Sequence, residues 1–307
     1  SLEFGSTYTI KAEGFDSRGR VVSQVQTFTT VEPEKFFSAV AEPGPGDVVG
    51  VGIPITVRFS KKVTNKADVE RAMVVRTAKP IAGAWAWKDS RTAEFRPKRL
   101  WPGDMDVQLD LNLQGVEAKD GVFGKEDTSQ MFRIRPSVVS VVDASTYSMD
   151  VFKSGELVKT IPVTTGKVGW ETRSGTKVLL TKERVRIMDA ASGGMSEDNP
   201  EYYRVTAPYA MRITYSGEFV HGAPWSTGYQ GWANVSHGCV GMSEANAAWW
   251  WNENEIGDVV IIKNTGREQG NDGNGLTVWN DPWHEWLSRS ETGGFFTEPL
   301  DSSATVS

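Results

Sequence analysis

Apolar and polar residues alternate with a period of two along most of this chain, and stretches with helical spacing are few. Val57-Arg-Phe-Ser-Lys61, Met73-Val-Val-Arg-Thr77, Ala84-Trp-Ala-Trp87, Thr92-Ala-Glu-Phe-Arg96, Val107-Gln-Leu-Asp-Leu111 and Met131-Phe-Arg-Ile134 all follow that rhythm. Successive side chains of a strand point to opposite faces, so each run predicts a strand with one face in a core. Lys88-Asp-Ser-Arg91 supplies a tight turn, and Asn65 to Met73 is the one helical interruption. Short strands with turn signals between them over residues 36–135 predict a β-sandwich. Trp85 and Trp87 fall on one strand face and are expected in its core. Residues 1–32 hold two more alternating runs around Asp16-Ser-Arg-Gly19, a hairpin signal in a segment too short to bury a core alone. Val31 to Lys35 reads as a linker.

Pro136 opens a second series. Val138–Asp143 starts a strand, and Ser148–Lys153 with Glu156–Val163 forms a hairpin across Ser154-Gly155. Further strands are expected at Lys177–Leu180, Glu183–Met188, Tyr202–Val205, Ala210–Tyr215 and Val259–Lys263. Ser243 can cap a short helix through Ala247 that Gly257 closes, and its adjacent Trp249, Trp250 and Trp251 point around it in different directions, mostly as packing. Residues 189–201 are small, flexible and polar, a composition that suits a mobile flap over a cleft. Trp279, Trp283 and Trp286, at spacings of four and three, give an apolar helical face. This tail, residues 266–307, is expected to fold back on the domain of residues 137–265, with His284 outside any site and no order signal over Asp301–Ser307. The fold class is therefore mainly β with short helices.

Composition narrows the function. Hydrophobic residues make up 39% of the 307 residues, and no apolar run approaches the roughly twenty residues of a membrane span. The N-terminus lacks a signal-peptide pattern, so a targeting segment or membrane anchor would lie outside this chain. A net charge of -6 and a pI near 5.3 argue against nucleic acid, whose binding rests on clustered basic residues. The same charge offers no attraction to an anionic polymer, so ligand capture should depend on local contacts.

The chemistry concentrates in Ser236-His237-Gly238-Cys239, which holds the only cysteine, with His221 eighteen residues upstream. A thiolate attacks carbonyls well but is scarce at neutral pH unless a neighbouring imidazole lowers its pKa. A thiol near histidines therefore points to acyl transfer. Two other readings stand beside it. A lone cysteine is commonly a small buried hydrophobe, and His221, His237 and Cys239 could supply three metal ligands. Structural zinc usually takes four ligands with more thiolates, and no CxxC pair exists here. A disulfide within the chain is impossible.

The stretch from His221 through Gly222, Trp225-Ser-Thr-Gly228 and Trp232 to Ser236-His-Gly-Cys239 resembles the active-site signature of the L,D-transpeptidases, the YkuD-type enzymes of bacterial cell walls. The similarity is strongest to their mycobacterial type and extends in weaker form over residues 137–265, where Thr172-Arg-Ser-Gly-Thr176 looks like the family's T-P-x-G segment. It implies that residues 36–135 are an immunoglobulin-like module, a spacer more than a wall binder, and that residues 1–32 are the last strands of a truncated one. It implies Cys239 as nucleophile, His221 as the base that later protonates the leaving amine, and the Gly222 carbonyl as the group that fixes the histidine tautomer. His237 would shape the loop, and backbone N–H groups around Gly238 and Cys239, with Ser236 and Tyr203, would form the oxyanion side. Met188, Trp225 and Asn234 are the candidates for substrate contact; Trp225 and Trp232 are equally open to plain loop packing. One departure is Gly241, where the family usually carries Asn or Arg; a glycine loosens the backbone and leaves rate and acceptor preference open.

The implied activity is peptidoglycan 3→3 cross-linking. A tetrapeptide stem acylates the cysteine, D-alanine leaves, and a side-chain amine of a second stem accepts the acyl group. The implied partners are peptidoglycan stem peptides and, as covalent inhibitors, carbapenems; no cofactor is called for. The protein would be exported to the cell envelope. Rivals are an L,D-carboxypeptidase, with water in place of the amine, and a catalytically weak wall scaffold. A papain-like protease fits poorly, because there the catalytic histidine follows the cysteine.

Overall fold

The computed structural model describes residues 2–300, so Asp301–Ser307 lie outside the described residues. It is mainly β, with a β-sandwich followed by a second β-rich domain. Thr7–Phe15 and Val21–Thr29 pair antiparallel as an isolated ribbon, from Thr7↔Thr29 to Phe15↔Val21. The Asp16 carboxylate closes the turn by accepting from the backbone N–H groups of Arg18 and Arg20, and nearly every ribbon side chain is exposed.

The sandwich packs one five-stranded sheet, built on Met73–Thr77, Met105–Leu111 and Thr128–Ile134, against another built on Ala82–Trp87, Thr92–Pro97 and Ile55–Phe59. Alternation delivers Trp85, Phe95, Leu109, Phe132 and Ile134 to the core between them. The second domain holds a five-stranded sheet with Val138–Asp143 beside Val259–Lys263 and Ser148–Lys153, and a four-stranded sheet in the order Thr181–Asp189, Arg204–Arg212, Phe219–Gly222, Val240–Met242. Val142, Met149, Ile161, Met211, Val220, Met242 and Ile262 fill the space between these sheets. The helix Glu244–Glu253 is capped by Ser243, which accepts from the Asn246 N–H. It drives Trp250 into that core, where the indole donates to Ser140 Oγ at 2.8 Å.

The tail differs from expectation twice. Pro282 lacks an N–H and cannot continue a helix, so the apolar face splits into a 3-10 turn, Val278–Asn280, and a short helix, Trp283–Leu287. The tail also passes from the second domain to the sandwich. Asn280 bonds Thr176 of the second domain, but all three tryptophan rings surround the buried Arg96 guanidinium of the sandwich at 4.9–5.2 Å. Trp286 donates to Ala84 O, Phe295–Phe296 extends one sandwich sheet and Glu298–Pro299 the other. The expected target was the wrong one for most of the tail, whose tryptophans pack on Ala84, Ala86 and Arg96 of the sandwich.

Candidate active site

Phe219–Gly222 and Val240–Met242 run parallel, with His221 opposite Gly241. Side chains alternate along a strand, so Cys239, two positions before Gly241, shares the face of His221. Ser236 shapes the turn between: its hydroxyl donates to Cys239 O at 2.6 Å and accepts from the Gly238 N–H at 3.1 Å. Gly238 has φ +120°, which side-chain-bearing residues rarely adopt. A Cβ there would sit 3.6 Å from Cγ of Glu218, so that buried side chain underlies the turn.

His221 and Cys239 line one cavity of about 250 Å³, together with Thr164, Met188, Tyr203 and Trp225. His221 is buried, and its Nδ1 lies 2.7 Å from Gly222 O. A carbonyl only accepts, so Nδ1 carries the hydrogen and a neutral ring keeps its lone pair on Nε2. The Trp225 ring stacks on the imidazole at 5.8 Å. Burial pulls the histidine pKa down to about 4, against a weaker opposing effect of the Gly222 carbonyl. Burial likewise pushes the Cys239 thiol up to about 12; the Phe219 N–H opposes this, Glu218 reinforces it and Arg212 counters it. Cys239 is half-buried and lines the cavity, and its sulfur donates to Gly217 O at 3.8 Å. Burial thus favours the uncharged form of both groups, and in this arrangement it outweighs the nearby charges that act on the thiol.

Other expected site residues divide. Met188 and Tyr203 form cavity wall and pack in one cluster with Cys239. His237 lines the cavity too, but its Nε2 is 2.8 Å from Glu201 Oε2 and its ring lies between Tyr203 and Trp170. His237 is thus engaged by Glu201, whose Oε2 also pairs with Lys167, and does not converge with His221 and Cys239 as a ligand set. Asn234 does not line the cavity: Oδ1 accepts from Thr165 N–H and Nδ2 donates to Ala144 O, each at 3.0 Å, so its amide is spent on backbone. Gly241 is pinned, not loosened, by reciprocal 2.9 Å backbone bonds with Thr164. A Cβ there would meet Ala223 Cβ at 3.0 Å and Thr164 Cγ2 at 3.1 Å.

A second cavity of about 370 Å³ shares Met188, Tyr203 and His237 with the first. Part of its wall is the 3-10 turn Ala190–Gly193, whose cap Asp189 accepts from the Ala191 N–H. Four arginines, Arg173, Arg186, Arg212 and Arg267, also line it. Sequence patterning missed Thr164, Ser226 and, above all, the support behind the thiol. Glu218 Oε1 accepts from both the backbone N–H and the guanidinium of Arg173 at 3.0 Å. Its Oε2 is 3.9 Å from Lys177 Nζ, a buried amine that burial lowers to about 8. Thr172–Thr176, the segment singled out by resemblance, is thereby joined to the nucleophile's turn through Arg173.

Comparisons with known proteins agree with this geometry. A family model described as a bacterial Ig domain matches residues 1–117, and one described as the L,D-transpeptidase catalytic domain matches residues 137–262. L,D-transpeptidase 2 of Mycobacterium tuberculosis is 35% identical over 287 residues, covering 93% of this chain and 70% of that protein. L,D-transpeptidase 1 of the same species is 33% identical over 73% of this chain and 84% of its own length. The solved L,D-transpeptidase from Mycobacterium smegmatis superposes with a TM-score of 0.62 at 34% identity, over 74% of this chain and 99% of that one. L,D-transpeptidase 3 from M. tuberculosis, solved in complex with a faropenem-derived adduct, gives 0.61 at 33% identity over 73% of this chain and 97% of that one.

Proposed function

The chain belongs to the L,D-transpeptidases, and from that membership we propose that it forms peptidoglycan 3→3 cross-links through an acyl-enzyme on Cys239. The observation that carries this is a shared cavity holding Cys239 and a His221 whose tautomer is set by Gly222 O. The Cys239 S–H turns from Gly217 O towards His221 Nε2, and the sulfur attacks the L-centre carbonyl of the third residue of a tetrapeptide stem. Sulfur–carbon bond formation and proton transfer to Nε2 proceed together, since neither ion is stable alone in the empty cavity.

The Gly238 N–H is occupied by Ser236, so we assign oxyanion stabilisation to the Cys239 N–H and the Tyr203 hydroxyl. The imidazolium then returns its proton to the departing amine of D-alanine, leaving a thioester. A side-chain amine of a second stem attacks that thioester, His221 takes the amine proton, and the sulfur leaves with it. Met188 and Trp225 contact the donor, Ser236 holds the turn, and His237 positions the loop through Glu201. A carbapenem acylates the same sulfur by opening its strained lactam. Export to the cell envelope follows from this substrate.

The test is intact-protein mass after incubation with a carbapenem: one adduct on Cys239, absent in Cys239→Ala, is expected. No adduct at high drug excess would favour a scaffold. With disaccharide-tetrapeptide as sole substrate, cross-linked dimer is the expected product, whereas tripeptide alone would indicate a carboxypeptidase.

A further inference from the structure

From Phe219 to Ser243 the chain contains no Asp, Glu, Lys or Arg, although 23% of all residues are charged. Three aromatic rings project from this uncharged stretch: Trp225 is 50% exposed, Tyr229 46% and Trp232 61%. Clustered exposed aromatic surface commonly marks a site that something covers. The segment carrying the rings is held in place. The Tyr229 N–H donates to Ser226 O, the Trp232 N–H to Tyr229 O and the Gly231 N–H to Val163 O, at 2.9–3.2 Å. Gln230 Nε2 donates to Ala223 O at 3.0 Å, and Trp232 Nε1 to Gly228 O at 2.5 Å. Tyr229 and Trp232 stand 5.4 Å apart with their planes at 35°. Little ordering entropy remains to be lost when a ligand settles on such a shelf.

The shelf belongs to the loop that reaches the reactive cavity: Trp225, four residues before Tyr229, lines that cavity and stacks on His221. Its chemistry selects the occupant. An anionic peptide would seek cations, and these surround the second cavity instead, as Arg173, Arg186, Arg212 and Arg267. A pyranose has what the shelf accepts: no charge, a face of C–H bonds whose partial positive charge meets the negative face of an aromatic ring, and a hydroxyl rim that stays in water. We propose that Tyr229 and Trp232 form a saccharide subsite that holds an N-acetylated hexose of the glycan strand carrying the donor stem. This inference rests on the peptidoglycan function proposed above.

Two measurements test it. The first needs no turnover: titration of the wild-type protein with N,N′-diacetylchitobiose, a neutral N-acetylated disaccharide, followed by tryptophan fluorescence and NMR. A saturable change that disappears in the Tyr229→Ala/Trp232→Ala double variant is expected; no saturable change, or one the variant retains, overturns the subsite. The second compares Cys239 acylation by disaccharide-tetrapeptide and by the sugar-free tetrapeptide. The variant is expected to raise KM about 10-fold for the sugar-bearing donor, leaving the sugar-free donor and carbapenem acylation unchanged. Equal loss on both donors, loss on neither, or a wild-type dimer that the variant dissolves contradicts the proposal. If neither donor acylates Cys239, the peptidoglycan function itself fails, and the chitobiose titration still decides whether a saccharide binds.

Discussion

A thiol raised to about 12 beside an imidazole lowered to about 4 is a nucleophile kept discharged. Separating charge in the empty cavity would cost on the order of 10 kcal/mol before the two ions' mutual attraction, at about 1.4 kcal/mol for each unit of pKa. Proton transfer therefore waits for a substrate carbonyl to take up the developing charge. Glu218 belongs to the same design, since its buried carboxylate adds to the burial that raises the thiol. Glu218→Gln is expected to speed iodoacetamide alkylation of Cys239 several-fold at pH 9. It should also destabilise the protein by about 3 kcal/mol, because Arg173 and Lys177 lose their counter-charge; alkylation at the wild-type rate would refute the electrostatic part. The legible residues were those whose chemistry is local: Cys239, His221 and the Gly222 carbonyl lie within one motif. Asn234 sits in the same motif, but its amide is consumed by Thr165 and Ala144, partners distant in sequence. Glu218 stayed hidden for the same reason, as its role depends on Arg173 and Gly238 meeting it in space.

At the scale of elements, strand alternation was sufficient where one face is buried, as in Met73–Thr77. The split of the tryptophan tail was missed, although Pro282 lies between its two elements. Its destination was not, because an apolar stripe does not say which of two domains it will cover. The structure makes Trp286 the centre of that contact, 1% exposed, bonded to Ala84 O and packed on Arg96. Trp286→Ala should cost about 3–5 kcal/mol by leaving a cavity in this seam, read as a lowered urea midpoint. A loss under 1 kcal/mol would mean that the tail adds little to the fold. The parallel pair of Phe219–Gly222 and Val240–Met242 does the equivalent for the site, since its register alone brings His221 and Cys239 to one face.

Across the whole molecule, the sandwich and the catalytic domain keep separate cores that meet at a packed seam. Val259, with Val139 and Ile261 packed against it, joins the sandwich core, and the buried Asp258 carboxylate pairs with Arg135. Gly50 approaches so closely that a Cβ would lie 2.0 Å from the Asp258 backbone nitrogen. Domains joined by a continuous apolar seam should unfold together. Calorimetry is expected to give a single cooperative transition for both, and Asp258→Ala to lower it by breaking a buried ion pair. Two well-resolved transitions in the wild-type protein would mean that the seam transmits no stability.

The central claim, that Cys239 and His221 act as a pair neutral at rest, is tested most directly by the pH dependence of carbapenem acylation. A rate that is level from pH 5.5 to 8, falls only as the imidazole protonates towards pH 4, and drops at least 100-fold in His221→Ala is expected. A rate that climbs with thiolate fraction across pH 7 to 9, or that survives loss of His221, would contradict it.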